Sequence, residues 1–120
     1  MTRFTDLTII LVIMKPKSPF SIIYAPITRS QLLAIEATYY LLIRTTIQER
    51  LSSEPDIRTR NRKPLQRPVP LGATWELRFG PGNRLRVLYD IDRPRHVVAV
   101  LAIGIKRGSR LFIGGEEIRL

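Results

Sequence analysis

The sequence predicts an α+β fold in which an early strand and a long amphipathic helical region pack on a mainly antiparallel sheet. Three observations carry that reading. Apolar residues recur every four positions between residues 28 and 53. Two later segments, TWELRF and RLRVLYDI, alternate strictly, and a wholly apolar segment, VVAVLAIGI, follows them after a short turn.

Phe20 to Ala25 (FSIIYA), fenced by Pro19 and Pro26, is β-branched or aromatic and reads as the first strand. Thr28 then offers an N-cap with Gln31 at capping-box spacing, and neither Gly nor Pro interrupts before Pro55. Ile35, Tyr39, Ile43, Ile47 and Leu51 form a stripe that Leu32 and Leu42 widen, so one helical face should bury itself on the sheet. The region exceeds an ordinary helix, and Ala37-Thr38 is the expected break into a helical hairpin. Glu54 to Gly72, with four prolines and five basic residues, is expected to be a loop. Thr74 to Phe79, Arg84 to Ile91 and Val97 to Ile105 then form a meander through turns at Gly80–Asn83 and Asp92–Arg95, with the last strand central.

At 120 residues the chain suits one core. The absence of cysteine excludes disulfides and thiolate metal sites, and a single His excludes a histidine cluster, so no metal or cofactor is expected. Leu7 to Met14 (LTIILVIM) is eight residues long, too short to span a bilayer, which needs about 20, and no membrane partner is expected. A signal peptide fits poorly, because Asp6 intrudes and KPKSP stands where small residues belong. Met14 offers an alternative start. Residues 1–19 therefore read as a dispensable extension and residues 20–120 as the domain.

Charge is the most uneven property. Residues 58–110 hold 13 Lys or Arg against three acids, an excess equal to the whole chain's net charge of +10. Such a field attracts polyanions and speeds encounter with phosphate backbones or acidic proteins. Period two places Trp75, Leu77, Phe79, Leu85, Val87, Tyr89 and Ile91 toward the helices, so Glu76, Arg78, Arg84 and Arg86 share the opposite face. Lys106, Arg107 and Arg110 are expected at its rim, near Arg60, Arg62 and Lys63.

From about Phe20 to Glu117 the chain resembles the RelE/ParE family of toxins from type II toxin–antitoxin systems. The likeness rests on RNRKPL (Arg60 to Leu65), TWELRF, RLRVLYDI and AIGIKRGSRLFIGGEE (Ala102 to Glu117). It implies a helical hairpin on one face of a four-stranded sheet, a cytoplasmic setting, and a small antitoxin, which the chain's charge suggests is acidic. It also implies metal-free cleavage of messenger RNA on the ribosome. There a ribose 2′-OH attacks the adjacent phosphate, a base takes its proton, an acid protonates the leaving 5′ oxygen, and cations stabilise the phosphorane. Matched to the family pattern, Arg78, Arg86 and Arg107 fall at catalytic or RNA-gripping positions, and Arg60, Arg62 and Lys63 at the adjoining basic loop. Arg84, Lys106 and Arg110 complete the expected RNA-binding set.

The chain departs from the family where a C-terminal Tyr or His often acts as base, since the segment here reads Leu111-Phe112-Ile113. Glu76 among arginines would be a weak proton acceptor and reads better as an ion pair orienting Arg78. Lys63 or Lys106 is the other candidate base. His96 reads as a turn residue, Trp75 and Tyr89 as core, and Gly114-Gly115 as a turn. Two alternatives remain beside an RNA endonuclease: a non-catalytic inhibitor of DNA gyrase, as in the ParE branch, and a basic RNA-binding module without toxicity.

Overall fold

The computed structural model describes residues 19–66, 69 and 71–119. The segment read as a dispensable extension lies outside them up to residue 18. The elements run β1 (Ser21–Tyr24), α1 (Ile27–Leu33), α2 (Tyr40–Ser53), β2 (Arg62–Pro64), β3 (Trp75–Phe79), β4 (Leu85–Asp92), β5 (Val97–Arg107), β6 (Arg110–Ile113) and β7 (Glu116–Ile118). The strands form one sheet in the order β2-β3-β4-β5-β6-β7, all antiparallel, while β1 lies parallel to β5. β1 and β6 share one edge of β5, β1 against Val97–Val100 and β6 against Gly104–Arg107.

The meander forms as expected, but the sheet has seven strands instead of four. Two of the additions come from the last residues. Gly114 and Gly115, at φ 62 and 84, occupy the left-handed conformations of a two-residue hairpin turn and fold β7 back on β6. The third is β2, where Arg62, Lys63 and Pro64 inside the expected loop pair with Leu77, Glu76 and Trp75.

The helical region breaks, as expected, though at Ala34–Glu36 and not at Ala37-Thr38: Glu36 is extended (φ −57, ψ 132), and a 3-10 turn at Ala37–Tyr39 leads into α2. The capping box does not form. α1 starts one residue earlier, Thr28 Oγ1 donates to the Ala25 carbonyl at 2.7 Å, and the Gln31 side chain turns inward. Ile43, Ile47 and Leu51 from α2, with Ile35, pack on Leu77, Phe79, Val87, Tyr89, Val98 and Val100. Leu42, expected in that stripe, is exposed. The Tyr89 hydroxyl donates to the Pro55 carbonyl at 2.6 Å, which places Tyr89 in the core, and its ring stacks on Trp75, half-buried against that core. His96 takes a left-handed turn conformation and stacks on Phe20 at 3.8 Å.

The face away from the helices is only partly open. Leu88, Ala102, Leu111 and Ile113 form a second apolar cluster there, covered by Leu65, Leu101 and Ile118. A bulge helps to build this arrangement. Tyr89 pairs with Val100 and Leu88 with Ala102, so Leu101 is an extra residue in β5. Val98 and Val100 face the helices before it, Ile103 and Ile105 after it, and parity by residue number reverses midway.

Candidate functional site

The other part of this concave face is an open groove of about 970 Å³. Its cationic residues are Arg58, Lys63, Arg78, Arg86, Lys106, Arg110 and Arg119, against only Glu76 and Glu117, so its field is strongly positive.

β-sheet register builds the centre. Arg78 on β3 pairs directly with Arg86 on β4, and Lys63 on β2 pairs with Glu76. Two cations side by side would repel, and Glu76 offsets this. Its carboxylate accepts from Arg78 Nε at 2.9 Å through one oxygen and lies 3.5 Å from an Arg86 terminal nitrogen through the other. Arg86 Nε also donates to the Asn83 carbonyl at 3.1 Å. Glu76 is 2% exposed and Arg86 8%, whereas the Arg78 side chain keeps 32% of its surface open. Burial pulls the Arg86 guanidinium below its ordinary range, Glu76 pulls it back, and an arginine so far above neutrality stays charged. The arrangement can grip an anion with one open fork and one recessed charge held in fixed geometry.

The other expected residues divide. Lys63, Lys106 and Arg110 line the groove. Arg107 does not. Counting in twos from Val98 and Val100 would put it on the groove side, but the extra residue at Leu101 sends Lys106 there and turns Arg107 to the helix side, 2.9 Å from Glu36. That neighbour holds the Glu36 carboxyl below the usual carboxylate range. Arg84 also leaves the groove. It adopts a helical conformation before β4 begins, which breaks the alternation, and donates to the Pro81 carbonyl and the Tyr39 hydroxyl.

Arg62 is buried, not displayed. It donates to the Ile57 carbonyl at 2.7 Å and to the Arg50 carbonyl at 3.1 Å, tying the basic loop to the end of α2. Arg60 is exposed and does not line the groove. Sequence reasoning missed Arg58 and Arg119 as lining residues. Arg119 follows a hairpin that was not anticipated, whereas Arg58 was visible in the basic run.

No group of His, Asp or Glu that could hold a metal occurs among the described residues, nor does any helix long and apolar enough to cross a membrane. No family profile matches the chain, and no curated protein matches it. A solved structure does. The RelBE2 toxin–antitoxin complex from Mycobacterium tuberculosis contains a chain 26% identical to this one, superposing with a TM-score of 0.61 over 75% of this chain and 94% of that one.

Proposed function

We propose that the chain, a RelE-like toxin of a type II toxin–antitoxin pair, cleaves messenger RNA on the ribosome. The observation that carries the reading is the cross-strand pair Arg78–Arg86, braced by Glu76 in a groove of strongly positive net charge.

In this reaction the scissile phosphate lies against Arg78, whose open fork binds two of its oxygens, while recessed Arg86 supplies a fixed positive charge. As the 2′-OH attacks, negative charge grows on the non-bridging oxygens, and these guanidiniums stabilise it without having to reorganise. Glu76 is the positioning residue, since both its oxygens are engaged by cations. Lys63 and Lys106 are groove residues able to move protons to and from the two ribose oxygens. Residues 20–120 carry this activity in the cytoplasm, and a chain beginning at Met14 retains it.

The partner is an acidic antitoxin. The solved neighbour is a toxin–antitoxin complex, and a net charge of +10 favours a partner of opposite sign, with an association rate that falls as salt rises.

Primer extension on messenger RNA after brief induction tests the nuclease. Cleavage within codons is expected, and its loss in Arg78→Ala with the fold retained; unchanged cleavage in that variant sinks the assignment. One observation favours a second reading. Neither Tyr nor His lines the groove among the described residues, which suits a non-catalytic inhibitor of DNA gyrase. Parallel assays of translation and of supercoiling separate the two, because each reading predicts inhibition in only one.

A further inference from the structure

Beside the cationic groove lies a smaller cavity of about 310 Å³, at the lower end of the range for ligand pockets. The two adjoin, both being lined by Val69 and Ile118. Where the groove is charged, the cavity walls are Leu71, Leu88 and Ile113, and its polar groups are few. Glu116 shares the concave face, because it pairs across the hairpin with Ile113, whose side chain is in the second apolar cluster.

Gln31 gives the cavity its chemistry. It is 6% exposed, and its amide oxygen accepts from the Ile103 N–H at 2.9 Å. That donor lies on the edge of β5 between the stretch paired with β1 and the stretch paired with β6, where no strand partner reaches it. Only the oxygen of the amide can answer an N–H, so the orientation is settled and the NH₂ group must point the other way. This NH₂ has no acceptor among the described residues, yet no side-chain nitrogen or oxygen among them is sealed without a partner. Gln31 lines the cavity, and this NH₂ group is the donor it can offer there. Gly114 closes one side, where a β-carbon built on it would lie 3.6 Å from Gln31 Cγ.

We propose that this cavity is a nucleobase subsite, which takes one base of the single-stranded RNA whose phosphates occupy the groove. The inference rests on the reading above that the groove binds RNA. An apolar slot with one fixed donor and one carboxylate acceptor suits a flat heterocycle that carries ring acceptors and an exocyclic or ring N–H, which describes a nucleobase and not a phosphate. Continuity with the groove supplies the geometry: a strand held by its backbone at Arg78 can turn a neighbouring base into the slot. The energetic case is apolar burial with pairing kept: a base covers Leu71 and Leu88 and takes the hydrogen bond of the NH₂ group in place of water.

The test uses the full chain and eight-nucleotide single-stranded RNA probes, intact or with one abasic site placed at each position in turn, with dissociation constants measured over a range of salt. An abasic nucleotide keeps the phosphate and removes only the base. The wild-type chain should bind one abasic probe about tenfold more weakly than the intact probe, the equivalent of one or two hydrogen bonds. Gln31→Glu keeps an acceptor for Ile103 and removes the donor pair, while Leu71→Trp fills the slot from its exposed rim. Each should bring that ratio below about twofold, and Lys106→Ala should weaken both probes alike.

A wild-type ratio near one at every position, or a ratio undiminished in both slot variants, overturns the proposal. So does loss of a co-purifying acidic protein from the slot variants with the ratio unchanged, because the slot then holds a peptide side chain. Salt-dependent binding that ignores bases defeats the subsite alone. No RNA binding at all defeats the groove reading with it.

Discussion

Two pairs of arginines stand near one end of β4 and β5, and they could hardly be held more differently. Arg78 and Arg86 on the concave face share one buried carboxylate, Glu76, and form the centre of the groove. Arg84 and Arg107 on the helix side meet Tyr39 and Glu36, and the Arg107–Glu36 pair is about half exposed on both sides. The same residue type thus occupies two electrostatic regimes. Water and salt screen the outer pair, so its ion pair adds little and its guanidiniums can move. The inner pair is better shielded, its geometry imposed by the sheet, and removal of its one carboxylate leaves two guanidiniums side by side with nothing to compensate them. The difference separates a site that stabilises developing charge from a surface that only attracts it.

The comparison breaks most sharply at Glu76. Glu76→Ala leaves Arg86 buried and unpaired, and should cost about 3 kcal/mol in urea denaturation together with RNA cleavage. Glu76→Gln, which keeps one hydrogen bond, should cost less stability yet still misalign Arg78. Equal stability in Glu76→Ala and wild type would mean that the carboxylate does not brace the pair. Next in size is Arg62→Ala. It loses two charged hydrogen bonds to main-chain carbonyls, and about 2 kcal/mol should disappear from the same measurement.

Arg78→Ala sharpens the comparison from the functional side. Its side chain is partly open, so stability should fall by less than about 1 kcal/mol. Affinity for single-stranded RNA should nevertheless fall about tenfold, with a shallower salt dependence.

The smallest effect belongs to Arg107→Ala, which should lower the urea midpoint at neutral pH only slightly, because the pair is exposed, and should leave the RNA affinity unchanged within error. Its signature is in pH. Arg107 holds the Glu36 carboxyl below its unfolded value near 4.5, so this pair contributes stability above that pH and loses it as pH falls through the lower folded value. In Arg107→Ala the acid limb of a stability titration should lose this component. A large loss of toxicity in that variant would reverse the ranking of the two pairs.

The elements that were legible share one property, namely a periodicity unbroken by tertiary contacts. β3 and β4 alternate cleanly, so Glu76, Arg78 and Arg86 could be placed on one face from the sequence, and Glu76 could be recognised as an ion-pair partner. What escaped did so for identifiable reasons. VVAVLAIGI is apolar throughout, so its extra residue at Leu101 leaves no mark in the pattern, and Arg107 was expected on the wrong side. Arg84 precedes its strand in a helical conformation that period two does not describe. Arg62 lies in a proline-rich basic run whose composition suggests solvent, while its burial depends on carbonyls from Arg50 and Ile57. The β6–β7 hairpin is built from short strands, and only its Gly-Gly turn was readable.

The irregularity at Leu101 also separates two properties that usually travel together in a sheet. Excising that one residue would restore plain pairing between Val100 and Ala102 against Tyr89 and Leu88, leaving every neighbouring side chain on its present side. What would relax is the bend, because the inserted residue accentuates the curl of the strand. Cup depth can therefore be tuned by lengthening or shortening the backbone at a place remote from any arginine, so that the width offered to a nucleic acid strand and the chemistry that meets it become independent variables.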